Sequence, residues 1–197
     1  MPHLIRQYSL EPGALEIQYM EEYFEEFQRR KTAEEIIERL SGREHLILLA
    51  LSSLPDDPAT MVPVAFKVGH ELRCSERDPR LQDLVERLGG CVNFSGRRVF
   101  YSWIGGTRAE FRGRGHYRAL TEQQEEWAQR HGFNELVVKT KNKFYAMRST
   151  LDHLRFDIIK FEYNPLDSGE SKLYLSKKLV PSIMEEHKTL RRVEIAA

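Results

Sequence analysis

Apolar and polar residues along the chain follow two rhythms. Leu46-Ile47-Leu48-Leu49-Ala50-Leu51 is an unbroken apolar run, the pattern of a buried strand. Val62 to Val68 reads as its partner across the turn Pro55-Asp56-Asp57-Pro58, giving a hairpin. Leu4 to Ser9 reads as a short first strand. Between them, Ile17, Met20, Phe24 and Phe27 recur at helical spacing. Thr32 and Glu35 form a capping-box pattern ahead of Ile36, Ile37 and Leu40, so a second helix is expected up to Gly42. Asp78-Pro79 opens a further helix, with Leu81, Leu84, Val85 and Leu88 along it and Gly89-Gly90 as its stop. The second half repeats the alternation. Val99 to Ile104 reads as a strand, Ala119 to Arg130 as a helix ending at Gly132, and Leu136 to Thr140 as a strand. Phe144, Met147, Leu151 and Leu154 mark another helix. Phe156–Phe161 and Leu173–Leu179 read as two strands around the loop 164–169, and Pro181 starts a polar helical tail.

The stretch between the strand at 99–104 and the helix at 119–130 carries the chemistry: Arg112-Gly113-Arg114-Gly115-His116-Tyr117. Gly113 and Gly115 remove two Cβ atoms where a bulky anion would have to approach the backbone. The first amides of the helix have no intrahelical acceptor and lie at its positive end. Such a turn can cradle a phosphate, and Arg112 and Arg114 add charged donors. His116 is expected there as an anion-facing backbone amide, not a metal ligand. A glycine pair at a strand-to-helix turn is equally a plain tight turn. No G-x-x-x-x-G-K-[ST] occurs, which disfavours a P-loop. After Gly113 and Gly115 the third glycine slot of a dinucleotide fingerprint holds Arg118.

Composition narrows the classes. The chain has 197 residues, so one domain is the default expectation. Thirty basic and thirty acidic residues cancel, which argues against a nonspecific nucleic-acid binder. No apolar run approaches the ~18 residues that span a bilayer, and Met1–Arg6 lack the apolar core of a secretory leader. Cys74 and Cys91 have no metal-type spacing and are expected as free thiols in a reducing, cytoplasmic setting. The seven histidines show no ligand pattern, so no metal is expected.

The order strand, two helices, three strands, helix, strand, helix, two strands resembles the GNAT superfamily of acyl-CoA N-acyltransferases over roughly residues 4 to 180. The cradle is similar to the family's [Q/R]-x-x-G-x-[G/A] motif, with Arg112, Gly115 and Tyr117 in its three slots. Tyr117 replaces the usual small residue. The strings Phe100–Thr107, Glu110–Gly113 and Val138–Phe144 are similar to bacterial members. The resemblance implies an α/β (α+β) GNAT fold. Its mixed, mostly antiparallel sheet would have about six to seven strands, helices on both faces and a splay between the two central strands. A domain at 1–180 would carry a helical insert at about 72–97, followed by the tail 181–197.

The resemblance also implies a chemistry. The cradle, Arg112 to Tyr117, would hold the pyrophosphate of acetyl-CoA, with Gly105, Gly106 and Thr107 pairing with the pantetheine arm and the thioester in the splay. A backbone N–H there would polarise the thioester carbonyl. Asn142 matches the family's asparagine on the cofactor arm; a plain turn residue is the alternative. A primary amine, on a small molecule or peptide, would attack directly. A homodimer is possible; neither a nucleic-acid nor a membrane partner is expected. A GNAT-like module that binds CoA without transferring is the second reading. The family's Tyr-x-x-x-Gly-Phe places Leu151 in the tyrosine slot and Arg155 in the glycine slot, so the usual general acid is missing. Tyr145 falls on another side of that helix. Glu71, closing the strand 65–70, is the candidate general base, with a surface carboxylate as the alternative. Lys139, Lys141 and Lys143 alternate and read either as a solvated edge or as partners for the 3′-phosphate or an acidic acceptor. The insert is expected to wall the acceptor pocket, to dock another subunit or to be decoration.

Overall fold

The structure, a computed structural model, describes residues 3–11, 20, 31–54 and 56–186. Its elements are β1 (Leu4–Tyr8), α1 (Ala33–Leu40), β2 (His45–Ser53), β3 (Met61–Leu72), α2 (Pro79–Leu88), β4 (Val99–Thr107), α3 (His116–Arg130), β5 (Glu135–Lys141), α4 (Tyr145–His153), β6 (Asp157–Glu162) and β7 (Lys172–Lys178). Residues 181–186 are also helical. The strands form a seven-stranded mixed sheet in the order β1-β2-β3-β4-β5-β7-β6. The β1–β2, β2–β3, β5–β7 and β6–β7 pairs are antiparallel and β4–β5 is parallel. By contacts the chain divides into two compact units, Met1–His70 with Trp103–Gln124, and Glu71–Ser102 with Glu125–Ala197.

The first unit is built on the hairpin. The apolar run 46–51 is buried along its length, and its register sets Ile47 opposite Val68 and Leu49 opposite Phe66. These four pack with Ile36 and Leu40 of α1 and with Met20 in one core. The capping box at Thr32 is formed: Glu35 N–H donates to Thr32 Oγ1 at 3.1 Å, and Thr32 N–H donates to Glu35 Oε2 at 3.2 Å. Of the helical pattern at 17–27, Met20 is described, helical and buried; the rest lies outside the described residues, as does Pro55 in the hairpin turn. β3 runs four residues past Val68 to Leu72, and Gly69, His70 and Leu72 of that extension are buried.

In the second unit the β4–β5 ladder covers Val99–Ser102 and Glu135–Val138, while β5 pairs along its full length with β7. Phe100 anchors the core, 5.4 Å from the Trp127 ring and 5.0 Å from Phe133. The insert helix α2 begins as its sequence indicates, with Asp78 Oδ1 accepting from Arg80 N–H at 2.7 Å and Pro79 in the first turn, where a missing N–H costs nothing. Leu81, Leu84 and Leu88 are buried, so α2 is part of this unit's core. Cutting residues 72–97 back to a short turn is therefore expected to destabilise the fold as well as change any acceptor KM. Arg155, just past α4, has φ 60. The glycine slot of the tyrosine motif is thus a left-handed position, which here an arginine accepts.

Candidate active site

The cradle lies in the first unit. After β4, Arg108 N–H donates to Val64 O at 2.9 Å and a single 3-10 turn follows at Ala109–Phe111. Phe111 is buried and pins the turn, with Arg114 4.9 Å from its ring centroid and Arg108 5.6 Å away. Gly113 and Gly115 then take φ of +74 and +79, a region that a Cβ disfavours. That pair of left-handed residues turns the chain so that α3 begins at His116, three residues earlier than Ala119. Ala119 N–H donates to Gly115 O at 3.0 Å, closing the first helical turn. Arg112, Gly113, Arg114 and Gly115 are all exposed. Arg112 Nε donates to Thr107 O at 3.3 Å, and Arg114 Nη2 donates to Glu110 O at 3.2 Å. The structure thus brings Thr107, Arg112, Gly113, Arg114, Gly115 and His116 together around one helix start. Glu110 is exposed and paired with Arg108 at 2.5 Å.

Tyr117, in the slot expected to hold a small residue, has a reason visible at Gly105. A Cβ built on Gly105 would lie 3.4 Å from Tyr117 Cε2 and 3.0 Å from Phe66 O. The ring fills the space that a side chain at 105 would need, so the large residue and the glycine go together. Lys67, buried on β3, donates from Nζ to Tyr117 Oη at 3.0 Å and sits 4.1 Å from the ring centroid. Burial pushes the phenol pKa well up, which keeps it protonated.

His3 was not singled out by sequence, because one histidine near a terminus carries no pattern. Its Nδ1 lies 3.1 Å from His116 Nδ1, and its Nε2 lies 3.4 Å from where a Cβ on Gly115 would be. One imidazole must donate and the other accept, so at least one of the two Nδ1 atoms is bare. His116 is buried; desolvation, then His3 and Arg114, push its pKa down, so it is neutral at pH 7. An anion in the cradle would reverse that balance and favour the imidazolium. Binding of an anion in the cradle is therefore expected to take up protons, and its affinity should fall as pH rises from 6 to 8. Calorimetry in two buffers of different ionisation enthalpy measures the uptake. His116→Asn should reduce it to the contribution of the ligand's own phosphate; equal uptake in both proteins would sink the assignment.

The remaining expected residues lie in the second unit. Glu71 accepts from Arg73 Nε at 2.9 Å and from Arg98 Nη2 at 3.1 Å. Partial burial pushes its pKa up, but hydrogen bonds from both arginines outweigh that and the net shift is down. Arg98 also donates to His131 O at 2.7 Å. A carboxylate so held is a poor proton acceptor and a good tie. Glu71→Gln is expected to lower stability by about 1–2 kcal/mol while changing kcat less than the ~10²-fold minimum of a lost general base. Thermal unfolding and thiol release on the same sample separate the two. Asn142 has both ends of its carboxamide engaged: Nδ2 donates to Ser168 O at 3.1 Å and Oδ1 accepts from Arg148 Nη1 at 2.5 Å. Leu151 is fully buried and Tyr145 is 68% exposed, on another side of α4. Both cysteines are free and exposed. Among the described residues no group of three or more His, Cys, Asp or Glu side chains could hold a metal, and no helix is long and apolar enough to cross a membrane.

No protein-family model matches the chain, and no characterised protein matches it by sequence. Solved structures do match. The chain is similar to one in the NatC complex bound to Gag peptide and CoA, with TM-score 0.63, 13% identity, and coverage of 91% of this chain and 100% of the other. It is similar to Arabidopsis thaliana NAA60 bound to a bisubstrate analogue, with TM-score 0.62, 14% identity, and coverage of 89% and 98%. The Escherichia coli ribosomal-protein-S18-alanine N-acetyltransferase matches with TM-score 0.57, 14% identity, and coverage of 89% and 94%.

Proposed function

We propose that this chain, which has the GNAT N-acetyltransferase fold, transfers an acetyl group from acetyl-CoA to a primary amine. The observation that carries the reading is the turn from Arg112 to Gly115, where two left-handed glycines deliver an exposed backbone, flanked by arginines, into the N-terminus of a fifteen-residue helix. The amides of that helix start hold the pyrophosphate, with Arg112 and Arg114 as added donors. Gly105 to Thr107 lie along the pantetheine arm. The ammonium loses a proton to water, and the nitrogen of the neutral amine then attacks the thioester carbon. The tetrahedral intermediate gives up a second N–H proton to water and collapses as the carbon–sulfur bond breaks, leaving the amide and CoA as a thiolate. Thiolate is a tolerable leaving group, so transfer does not need the acid missing at Leu151. The peptide in the NatC structure and the bisubstrate analogue in the NAA60 structure support an amine acceptor.

The second reading is a module that binds CoA without transferring. The buried Leu151 in the tyrosine slot favours it. Calorimetry with acetyl-CoA, followed by thiol release over an amine panel, separates the two. Binding with amine-dependent release is expected. Binding without release from any amine leaves the silent module, and no binding sinks both.

A further inference from the structure

The sheet ends at β6, and among the described residues no strand pairs with its outer side. β5, β6, β7 and α2 all belong to the second unit. Register sets Lys160 opposite Tyr174, Phe161 opposite Leu173 and Glu162 opposite Lys172, with a shift between Ile158 and Lys160. That shift adds one residue, so Ile158, opposite Leu175, stands on the same face as Phe161. Leu173 and Leu175 are buried, whereas Ile158 is 57% and Phe161 51% exposed. Tyr163 and Leu166, just past the strand, are exposed too. The other face is polar. Lys160 Nζ donates to Arg87 O at 2.7 Å, and Glu162 accepts from Arg87 Nη1 at 2.9 Å and from the Tyr174 hydroxyl at 3.1 Å.

The backbone phase of this edge follows from β5 and β7. Asn142 N–H donates to Ser171 O at 2.8 Å and Leu179 N–H donates to Asn134 O at 2.9 Å, both in the register of the β5–β7 ladder. Hydrogen-bonded and non-bonded pairs alternate along an antiparallel ladder. Leu173 and Leu175 therefore turn their backbone groups to β5, and Lys172 and Tyr174 turn theirs to β6. Glu162 and Lys160 bond to β7 in return, which leaves the N–H and C=O of Phe161 directed out of the sheet. Edges are commonly blunted by proline or a free lysine. Lys160–Tyr163 contains no proline, and its lysine is tied to Arg87.

Two copies of such an edge pair antiparallel only where outward residues meet outward residues, so the two-fold axis passes through a residue. At Lys160 it would oppose two lysines, and at Glu162 two glutamates. At Phe161 it sets Lys160 opposite Glu162 of the other copy, twice, and brings the two Phe161 rings together. Opposed like charges destabilise, whereas opposite charges and aromatic pairs stabilise. The edge is thus complementary to itself in one register. Ile158, Phe161, Tyr163 and Leu166 expose on the order of 500 Å², the larger part of the roughly 800 Å² per partner of a standard interface.

We propose that β6 is a homodimer interface, pairing antiparallel with β6 of a second copy about a two-fold axis at Phe161. The inference stands on the second unit alone and is independent of acetyl transfer.

Sedimentation equilibrium of the full chain over a concentration series should give twice the 23.1 kDa of one chain. Phe161→Glu places two carboxylates on the axis, at a position that is half exposed in one copy and so leaves the fold intact. It should raise the dissociation constant roughly 100-fold or more with little change in Tm. A wild-type monomer at every concentration overturns the proposal; the edge is then left for a strand of another protein or for residues 187–197. A dimer that Phe161→Glu does not weaken overturns it too, because the contact lies elsewhere. Disulfide trapping reads the register independently, in a chain carrying Cys74→Ser and Cys91→Ser. Directly opposed hydrogen-bonded residues have Cα atoms about 5.5 Å apart, within the span of a disulfide. Phe161→Cys should therefore give a covalent dimer on mild oxidation. Tyr163→Cys should not, since the axis sets Tyr163 opposite Ile159 of the other copy. Trapping at 163 and not at 161, or at neither, overturns the Phe161-centred pairing even if Phe161→Glu fails to fold.

Discussion

Replacing Lys177 with methionine is expected to destabilise the fold by about 3–5 kcal/mol. Lys177 on β7 donates from Nζ to Glu125 Oε2 at 2.6 Å and to Leu154 O at 2.8 Å. Both side chains of the pair are 1% exposed, so neither charge can turn to water when its partner is removed. The methionine fills a similar volume, which keeps cavity formation out of the result. What remains is a buried carboxylate of Glu125 without its ammonium, and a carbonyl at the end of α4 without its donor. Denaturant unfolding measures the loss. The double variant Lys177→Met with Glu125→Leu should recover most of it, because removing both charges removes the desolvation penalty as well. A single variant within about 1 kcal/mol of wild type would mean that water reaches the pair and the burial argument is wrong.

Residues Lys177 and Glu125 also show where sequence reading stops. The strand at 173–179 is legible because Leu173 and Leu175 are apolar, yet the longest reach on its inward face belongs to a lysine that looks solvent-facing in a list of residues. The same holds for Lys67 in β3, buried against Tyr117. Charge on a strand carries no sign of whether a partner waits across the fold; that partner is distant in sequence, 52 residues away for Glu125 and 50 for Tyr117. Local signals fared differently. The Thr32–Glu35 box, the Asp78-Pro79 start and the apolar run 46–51 appear as read, because each is specified by residues within a few positions of one another. The cradle lies between these cases. Gly113 and Gly115 announce a bent backbone, but the start of α3 at His116 follows from their left-handed φ, and the His3 contact joins residues 113 positions apart. Glu71 was legible as a carboxylate near the end of a strand. The two arginines that hold it, one of them at the far side of the insert, were not.

Gly115→Val is expected to abolish measurable acetyl-CoA binding. Two physical effects act together. The φ of +79 is one that a β-branched residue resists, at a cost of about 1–2 kcal/mol. The new Cβ would also stand 3.4 Å from His3 Nε2, with two methyl groups extending it further into the anion-facing side of the turn. Backbone strain alone would predict a lower Tm with partial binding, because a strained turn still presents the helix amides. A blocked cradle predicts that binding disappears at any cofactor concentration that calorimetry can reach. Gly113→Ala separates them: its φ of +74 imposes similar strain, while its Cβ would meet nothing within 4 Å. The alanine variant should therefore lose about the same stability and keep a weakened but measurable affinity. Adding His3→Ala to Gly115→Val should relieve the side-chain contact without restoring the ligand, since the valine itself occupies the approach. If Gly115→Val binds acetyl-CoA as tightly as the wild type, the pyrophosphate does not sit on this turn. The reading of the chain as an acetyl-CoA enzyme then loses its central observation.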